Sequence, residues 1–283
     1  MPEDDEGLRA ALADRTLQLS VLIDALRERD RMDAAHNEWD FALQLQTLGL
    51  PVDYPAFPDR PEFDIRGGMV TAFEVGGDVY DFYFIDERRL GFVVADASGK
   101  GLPAAIFITN MRSILRSASR RIDDPAACMT LINRVLCFDN PEMMFATAFY
   151  GVLDTATGEI AYANAGHNPP AHISRDGVAR PLQHVRAPML GMFEEIVYST
   201  GKLTLAPGDT LCCFSDGITE AHDPAKALFG DARLFATLEA HAGADLATLE
   251  GQVVGAVDRF IGSAAIADDL TLLLLRWNGP AAA

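Results

Sequence analysis

Strand-like and helix-like segments follow one another in blocks along residues 64–278, and this order restricts the fold more than any other feature. Helical periodicity occurs in two pairs, Leu102–Arg121 with residues 125–138, and Asp231–Ala240 with Asp245–Ile261. Apolar runs bounded by turn residues predict strands at Met69–Val75, Tyr80–Ile85, Leu90–Ala95, Phe145–Leu153, Ile160–Ala163, Ala171–Ser174, Glu195–Leu205, Thr210–Phe214 and Leu270–Trp277. Because the helices fall in pairs between blocks of strands, the pattern excludes a Rossmann-type alternation. It predicts an α+β fold with two antiparallel sheets layered between helices.

Two local signals accompany the first helix pair. Asp124 and Pro125 form an N-cap and first-turn pair, which predicts that a helix begins there. Arg112, Arg116 and Arg120 recur every four residues in the preceding helix. This spacing predicts a basic face that is exposed to solvent.

Residues 1–50 predict a helical segment separate from the main domain. Leucines recur there at coiled-coil spacing, interrupted by Arg15 and Arg29, at Leu8, Leu12, Leu19, Leu22 and Leu26. Two interpretations stay open: residues 8–48 form a homodimer or regulator contact, or they dock as a surface helix on their own domain. Four prolines then predict a linker over residues 51–63, followed by the main domain at 64–278.

Composition excludes two classes of partner. The chain has 283 residues with 23 Lys and Arg against 41 Asp and Glu, a net charge of −18, which does not suit binding to nucleic acid or an anionic membrane. Neither a membrane-spanning run nor a signal peptide is predicted. The cysteines lack metal-ligand spacing and predict reduced core thiols in a cytoplasmic protein: Cys128, Cys137, Cys212 and Cys213.

Aspartates stand at four places where an apolar strand begins or stops. They are Asp78, Asp96, Asp216 and the pair Asp268-Asp269. One aspartate in such a position is usually a turn former or a helix cap, but four predict a shared site. Clustered carboxylates need a cation to stay ionised, and hard oxygen ligands suit Mg²⁺ or Mn²⁺ rather than zinc. Gly99-Lys100-Gly101 is not a P-loop, because Gly follows the lysine instead of Ser or Thr.

Five short motifs that include these aspartates occur in a fixed order. They are residues 76–82 (GGDVYDF), 95–101 (ADASGKG), 164–170 (NAGHNPP), 215–220 (SDGITE) and 268–271 (DDLT). Together they resemble the bacterial PPM-type (type 2C-like) serine/threonine protein phosphatases of the sporulation and stress-response branch. The likeness covers residues 64 to 277. It implies a four-layer α-β-β-α sandwich with two Mn²⁺ or Mg²⁺ ions at one end of the sheets.

The resemblance also implies ligand roles. Asp96 is expected to bridge both metals, with the Ala97 carbonyl and Asp78 on the second ion. Asp216 and Asp268 are expected on the first ion, and Asp269 beside them or as an alternate ligand. Asp96 thereby positions a metal-bridging hydroxide that attacks phosphorus, so that no Ser, Cys or His nucleophile is needed.

Three neighbouring positions leave alternatives open. Ser98 stands where eukaryotic relatives carry a histidine proposed as general acid, so the proton donor to the leaving group is unassigned. Lys100 either contacts the phosphate or only solvates the start of the next helix. His167 either touches substrate or forms a structural turn.

The family likeness implies dephosphorylation of phosphoserine or phosphothreonine on a protein, usually a STAS-type anti-anti-sigma factor. It also implies that the N-terminal helix relays regulation. A non-catalytic regulatory protein that keeps the fold and signals through that helix is the alternative, and a phosphatase for small phosphate esters is a third possibility. Retention of every acidic motif position favours the enzyme.

Overall fold

Ten strands and five helices lie in the part of the chain that the computed structural model describes, residues 50–73, 75–138, 140–182 and 187–280. The predictions for residues 1–49 lie outside this part. In chain order the strands are β1 (Phe63–Val70), β2 (Asp78–Phe84), β3 (Arg89–Ala97), β4 (Ala146–Asp154), β5 (Glu159–Ala165), β6 (Ala171–Ile173), β7 (Ala179–Pro181), β8 (Gly201–Thr204), β9 (Thr210–Phe214) and β10 (Leu270–Trp277). The helices are α1 (Leu102–Ala118), α2 (Pro125–Cys137), α3 (Asp216–Glu220), α4 (Gly230–Ala240) and α5 (Leu246–Ile261).

The strands form two antiparallel sheets, as the sequence predicts. Sheet one has the order β1-β10-β9-β6-β7, and sheet two has the order β2-β3-β4-β5-β8. One apolar core lies between the sheets, a second joins sheet two to α1 and α2, and a third joins sheet one to α4 and α5. The four-layer α-β-β-α sandwich is therefore confirmed.

Capping side chains explain where two of the helices begin. The Asp124 carboxylate accepts a hydrogen bond from the Ala127 N–H at 3.0 Å, with Pro125 in the first turn of α2. Asp245 caps α5 in the same way by accepting from Thr248 N–H at 2.8 Å. Both contacts satisfy backbone donors that the first turn of a helix leaves free.

The predicted strand at Met69–Val75 is wrong, since β1 runs from Phe63 to Val70. Two glycines lie in the middle of β1, and because glycine has a low strand propensity, the sequence pattern did not predict a strand there. Gly67 is needed there because a Cβ atom would lie 2.4 Å from the ring of Tyr80. The predicted strand Glu195–Leu205 is also too long, because only Gly201–Thr204 pairs with β5.

The predicted solvent-exposed arginine face of α1 is wrong for two of its three residues. Arg112 and Arg116 both donate to Asp81 of β2, through Nε at 2.8 and 2.6 Å, and the Asp81 side chain has no exposed surface. Arg120 alone is exposed. Their charges face the sheet because a buried carboxylate opposite the helix needs a cationic partner.

Residues of the predicted linker lie against the sheets. The Gly67 N–H donates to the Tyr54 hydroxyl at 2.8 Å, and the Phe57 ring contacts Phe63, Phe82 and Phe84. The boundaries at 51–63 and 64–278 stay predictions. No helix in the described part of the chain is long and apolar enough to cross a membrane.

Candidate active site

The sandwich brings the predicted aspartates to one end of both sheets. Asp78 and Asp96 are directly opposite each other in the β2–β3 ladder, so their side chains share one face of sheet two. Asp216 follows β9, and Asp268 and Asp269 precede β10, the neighbour of β9 in sheet one.

Electrostatics show that the carboxylates act on one another across the two sheets. Burial, and after it the negative charges of Asp216, Asp268 and Asp269, together raise the pKa of Asp96 to about 7. Burial is also the main reason for the raised pKa of Asp216. Carboxylates gathered in this way disfavour their own ionised forms unless a cation is present.

Asp78 is the most enclosed of the four positions. It is 2% exposed, and its Oδ2 has no hydrogen-bond partner among the described residues. Burial, followed by the charge of Asp96, raises its pKa well above the usual range. A buried carboxylate oxygen without a donor is costly, so this atom fits a role as ligand to a cation.

Asp269 has a different environment from its neighbour Asp268. It is buried, and its carboxylate accepts from the backbone N–H groups of Ala72 at 2.8 Å, Gly77 at 2.7 Å and Asp78 at 3.3 Å. Asp269 therefore ties the loop before β2 to the start of β10. The Asp268 side chain is 52% exposed and faces the Lys100 ammonium, with Nζ to Oδ2 at 3.3 Å.

A glycine keeps space beside the oxygens of Asp96 and Ala97. The Ala97 N–H donates to the Gly77 carbonyl at 2.9 Å. A Cβ atom on Gly77 would lie 3.2 Å from the Ala97 carbonyl oxygen and 3.6 Å from Asp96 Oδ1. Both oxygens therefore border a space that any other residue at position 77 would reduce.

These oxygens fit divalent cations of the Mg²⁺ and Mn²⁺ type. No group of three or more His, Cys, Asp or Glu side chains within the described ranges is placed to hold a metal ion. Mg²⁺ does not require such a group, because it keeps several waters and binds through one or two carboxylates. The orphaned Asp78 oxygen and the Ala97 carbonyl add hard donors of the kind these ions prefer.

His167 lies in the interior and not on the surface of the site. It is 3% exposed; its N–H donates to Asn164 Oδ1 at 2.8 Å, and its carbonyl accepts from Asn164 Nδ2 at 2.9 Å. Its ring Nδ1 bonds with the Thr147 hydroxyl at 2.8 Å. Burial lowers the pKa of His167 to about 4, so the ring is neutral near neutral pH. These contacts favour a structural turn, and contact of His167 with substrate stays a prediction.

Two serines that sequence reasoning left without a role position the aspartate loops. Ser215 Oγ donates to the Asp269 carbonyl at 3.1 Å and accepts from Thr271 N–H at 3.0 Å. Ser98 Oγ accepts from Phe145 N–H at 3.0 Å, while its own N–H donates to the Phe145 carbonyl at 2.7 Å. The only signal available in the sequence was that each serine is next to, or two residues from, a motif aspartate.

A cavity of about 470 Å³ adjoins the site on the side of Asp216. Its wall includes Asn168 and Pro169 from the loop before β6, and Phe235 from α4. The carboxylate of Asp216 therefore borders a cavity that has both polar and apolar walls.

Two proteins of known sequence resemble this chain. IcfG of Synechocystis sp. is 29% identical over 83% of this chain, and the phosphoserine phosphatase RsbP of Bacillus subtilis is 30% identical over 64% of it. The matched regions are 40% and 44% of those proteins, so the chain spans less than half the length of either.

A solved structure agrees with the fold. The SiaA-PP2C domain of Pseudomonas aeruginosa superposes with a TM-score of 0.74 at 24% identity, over 85% of this chain and 96% of that domain. The family model of stage II sporulation protein E (SpoIIE) matches residues 86–278, which include four of the five motifs in full; the first motif, at 76–82, precedes the matched region. The chain therefore belongs to the SpoIIE family, and its likeness to the sporulation and stress-response branch of the PPM phosphatases is confirmed.

Proposed function

We propose that this protein is a metal-dependent phosphatase that hydrolyses phosphoserine or phosphothreonine on a regulatory protein. The observation that carries the proposal is the convergence of Asp78, Asp96, Asp216 and Asp268 at one end of the sandwich. Its relative RsbP is named a phosphoserine phosphatase, which supports the same reaction class here.

The proposed ligand roles follow the environments of the side chains. Asp96 and the Ala97 carbonyl face the space beside Gly77, and Asp78 contributes its unpartnered oxygen from the opposite strand. Asp216 and Asp268 would hold the other cation from sheet one. Asp269 is assigned to holding the loop before β2, because its carboxylate already accepts three backbone N–H groups.

When bound, two divalent cations would lower the pKa of a water molecule and offset negative charge on the phosphoryl oxygens. The protein's own part is to gather the carboxylates and hold them still. The Ser215 and Asp269 hydrogen bonds fix the loops that carry Asp216 and Asp78. The reaction then needs no covalent intermediate on a side chain.

The site offers few other groups for catalysis. Ser98 is engaged with Phe145, and His167 is buried and neutral, so neither is assigned as proton donor to the leaving group. Lys100 lies at the edge of the site, and its two predicted roles, contact with the phosphate or solvation of the start of α1, stay predictions.

The substrate and regulator are inferred from the family. A phosphorylated STAS-type anti-anti-sigma factor is the proposed substrate, and residues 8–48 are the proposed dimer or regulator contact. A cytoplasmic location is part of the proposal, supported by four free cysteines, of which Cys128, Cys212 and Cys213 are buried.

Phosphate release from a phosphoserine protein tests the proposed function. We expect turnover with Mn²⁺, none after EDTA, and a loss of about 100-fold or more in Asp96→Asn, since this change removes a charge that the cations require. Asp176→Asn is the matched control, because Asp176 is exposed in the turn between β6 and β7. Turnover that survives EDTA or Asp96→Asn would contradict the proposal. Release from small esters but not from proteins would favour the small-ester alternative.

A further inference from the structure

Lys100 connects the loop after β3, the strand that carries Asp96, to the loop that carries Asp268. It stands in the loop after β3, between Gly99 and Gly101, both of which have positive φ angles of 86° and 70°. Its Nζ donates to the Ala267 carbonyl at 2.6 Å and lies 3.3 Å from Asp268 Oδ2. The ammonium also lies 5.2 Å from the centre of the Phe73 ring.

These contacts place one positive charge among several negative ones. Asp268 Oδ1 accepts from the Asp269 N–H at 3.0 Å, which leaves Oδ2, the oxygen that faces Lys100, as the one available to a cation. Lys100 is one of three lysines in the chain. An ammonium next to a carboxylate satisfies the same oxygen that a divalent cation would use, although it supplies a single charge and a weaker bond.

We propose that Lys100 is an internal counter-ion that competes with the divalent cation for Asp268 and so sets the metal affinity of the site. It acts through Asp268 and is a positioning residue. A cation that binds Asp268 through Oδ2 displaces the Lys100 ammonium from that oxygen. This inference rests on the proposed function for the identity of the metal ligands, but it concerns binding and not turnover.

Binding of Mn²⁺ to the full-length protein tests the proposal, measured as the loss of the free Mn²⁺ signal by electron paramagnetic resonance. We expect Lys100→Met to bind Mn²⁺ about three- to fivefold more tightly than the natural chain, which is the scale of a partly exposed ion pair. Lys100→Arg keeps the charge and should bind as the natural chain does.

Two controls separate the pair from a general change in charge. Lys202→Met removes one positive charge from an exposed position on β8 and should change the affinity by less than about 1.5-fold, because solvent and salt screen distant charges. In an Asp268→Asn background, Lys100→Met should give no gain, since the carboxylate for which it competes is absent. Thermal melting of each variant verifies that it is folded.

The outcomes are distinct. Unchanged or weaker Mn²⁺ binding in Lys100→Met would overturn the proposal, and weaker binding would mean that Lys100 holds Asp268 in place for the metal. A gain of equal size in Lys202→Met or in the Asp268→Asn background would overturn it too. If neither the natural chain nor Lys100→Met binds Mn²⁺, both this proposal and the proposed function fail. Tighter binding in a protein that releases no phosphate would support this inference and refute only the function.

Discussion

At the scale of single residues, adjacent aspartates have opposite environments. Asp269 is buried and accepts three backbone N–H groups, whereas Asp268 is half exposed and faces Lys100. Both stand in the loop before β10, and only Asp269 faces the backbone N–H groups of the loop before β2. One aspartate therefore holds structure and its neighbour is available to a ligand.

We expect Asp269→Asn to reduce the free energy of unfolding by about 2–3 kcal/mol, since an amide group cannot accept from all the donors and leaves buried N–H groups unpaired. Asp268→Asn should leave stability nearly unchanged and weaken Mn²⁺ binding instead. Urea unfolding and metal titration of both variants measure the contrast. Equal loss of stability in the two variants would contradict the assignment.

His167 makes stability depend on pH. Its pKa is about 4 in the folded protein because of burial, against 6.5 when it is exposed, so the unfolded chain binds a proton first as pH falls. The stabilisation is complete above pH 6.5 and is lost between pH 6.5 and 4, by about 3 kcal/mol in total.

Urea unfolding at pH 7 and pH 5 measures this effect. Between these values the natural chain should lose about 2 kcal/mol more than His167→Asn, whose side chain does not titrate. The variant is expected to be less stable at both pH values because the Thr147 hydrogen bond changes. The pH difference, and not the absolute stability, is the quantity to compare, and an equal difference in both proteins would refute the prediction.

At the scale of elements, α1 is attached to sheet two by the ion pairs of Asp81 with Arg112 and Arg116 as well as by apolar packing. Asp81 of β2 accepts from Arg112 Nε and from both Nε and Nη2 of Arg116. The Arg116 guanidinium also lies over the Tyr83 ring at 4.7 Å. The helix therefore has a fixed rotation, with its arginines toward the sheet.

Asp81→Asn should reduce the free energy of unfolding by about 3 kcal/mol, because it leaves buried guanidinium charge without its carboxylate. Arg88→Ala is the control, since the Arg88–Asp154 pair lies at the surface and should contribute little. Thermal or urea unfolding of the two variants tests this prediction. A similar loss of unfolding free energy in both variants would contradict a larger contribution from the ion pairs of Asp81.

The start of α3 lies against the loop that carries Asp268 and Asp269. A Cβ atom on Gly217 would be 2.0 Å from the Asp269 carbonyl oxygen, and backbone cannot move aside as a flexible side chain can. Gly217→Ala should therefore displace that loop and reduce both stability and Mn²⁺ affinity. Gly251→Ala in α5 meets no atom within 4 Å and should stabilise the protein slightly through helix propensity. Unaltered metal binding in Gly217→Ala would refute the prediction.

At the scale of the whole molecule, Leu50 and Pro51 attach the segment before β1 to sheet two and its helical layer. Leu50 is 7% exposed and packs in the core between sheet two and its helices, and the Tyr80 hydroxyl donates to the Pro51 carbonyl at 3.0 Å. We expect a chain that starts at Leu50 to fold and to bind Mn²⁺ as the full chain does. Circular dichroism and metal titration would show this.

The same shortened chain tests the role of residues 8–48. Light scattering should give twice the monomer mass for the full chain and the monomer mass for the chain that starts at Leu50, if the leucine spacing forms a dimer. The same mass for both would refute the proposed dimer contact and leave the alternative of a helix docked on its own domain.

The sequence alone determined the class of fold, the paired helices, most strands and the acidic positions, because periodicity and turn chemistry are local and can be found without coordinates. It misplaced β1, where glycines lower strand propensity but are required by Tyr80 packing. It also predicted that Arg112 and Arg116 face solvent, because residue spacing does not reveal a buried carboxylate on another strand.

Only the tertiary structure distinguishes the environments of the acidic residues. Asp268 and Asp269 have the same chemistry and adjacent positions, and burial with backbone donors from the loop before β2 separates them. The contact of Lys100 with Asp268 joins positions 168 residues apart in the chain. Such differences in solvation and charge depend on how the two sheets pack. The sequence therefore identifies the carboxylates, and the packing of the sheets determines the environment of each one.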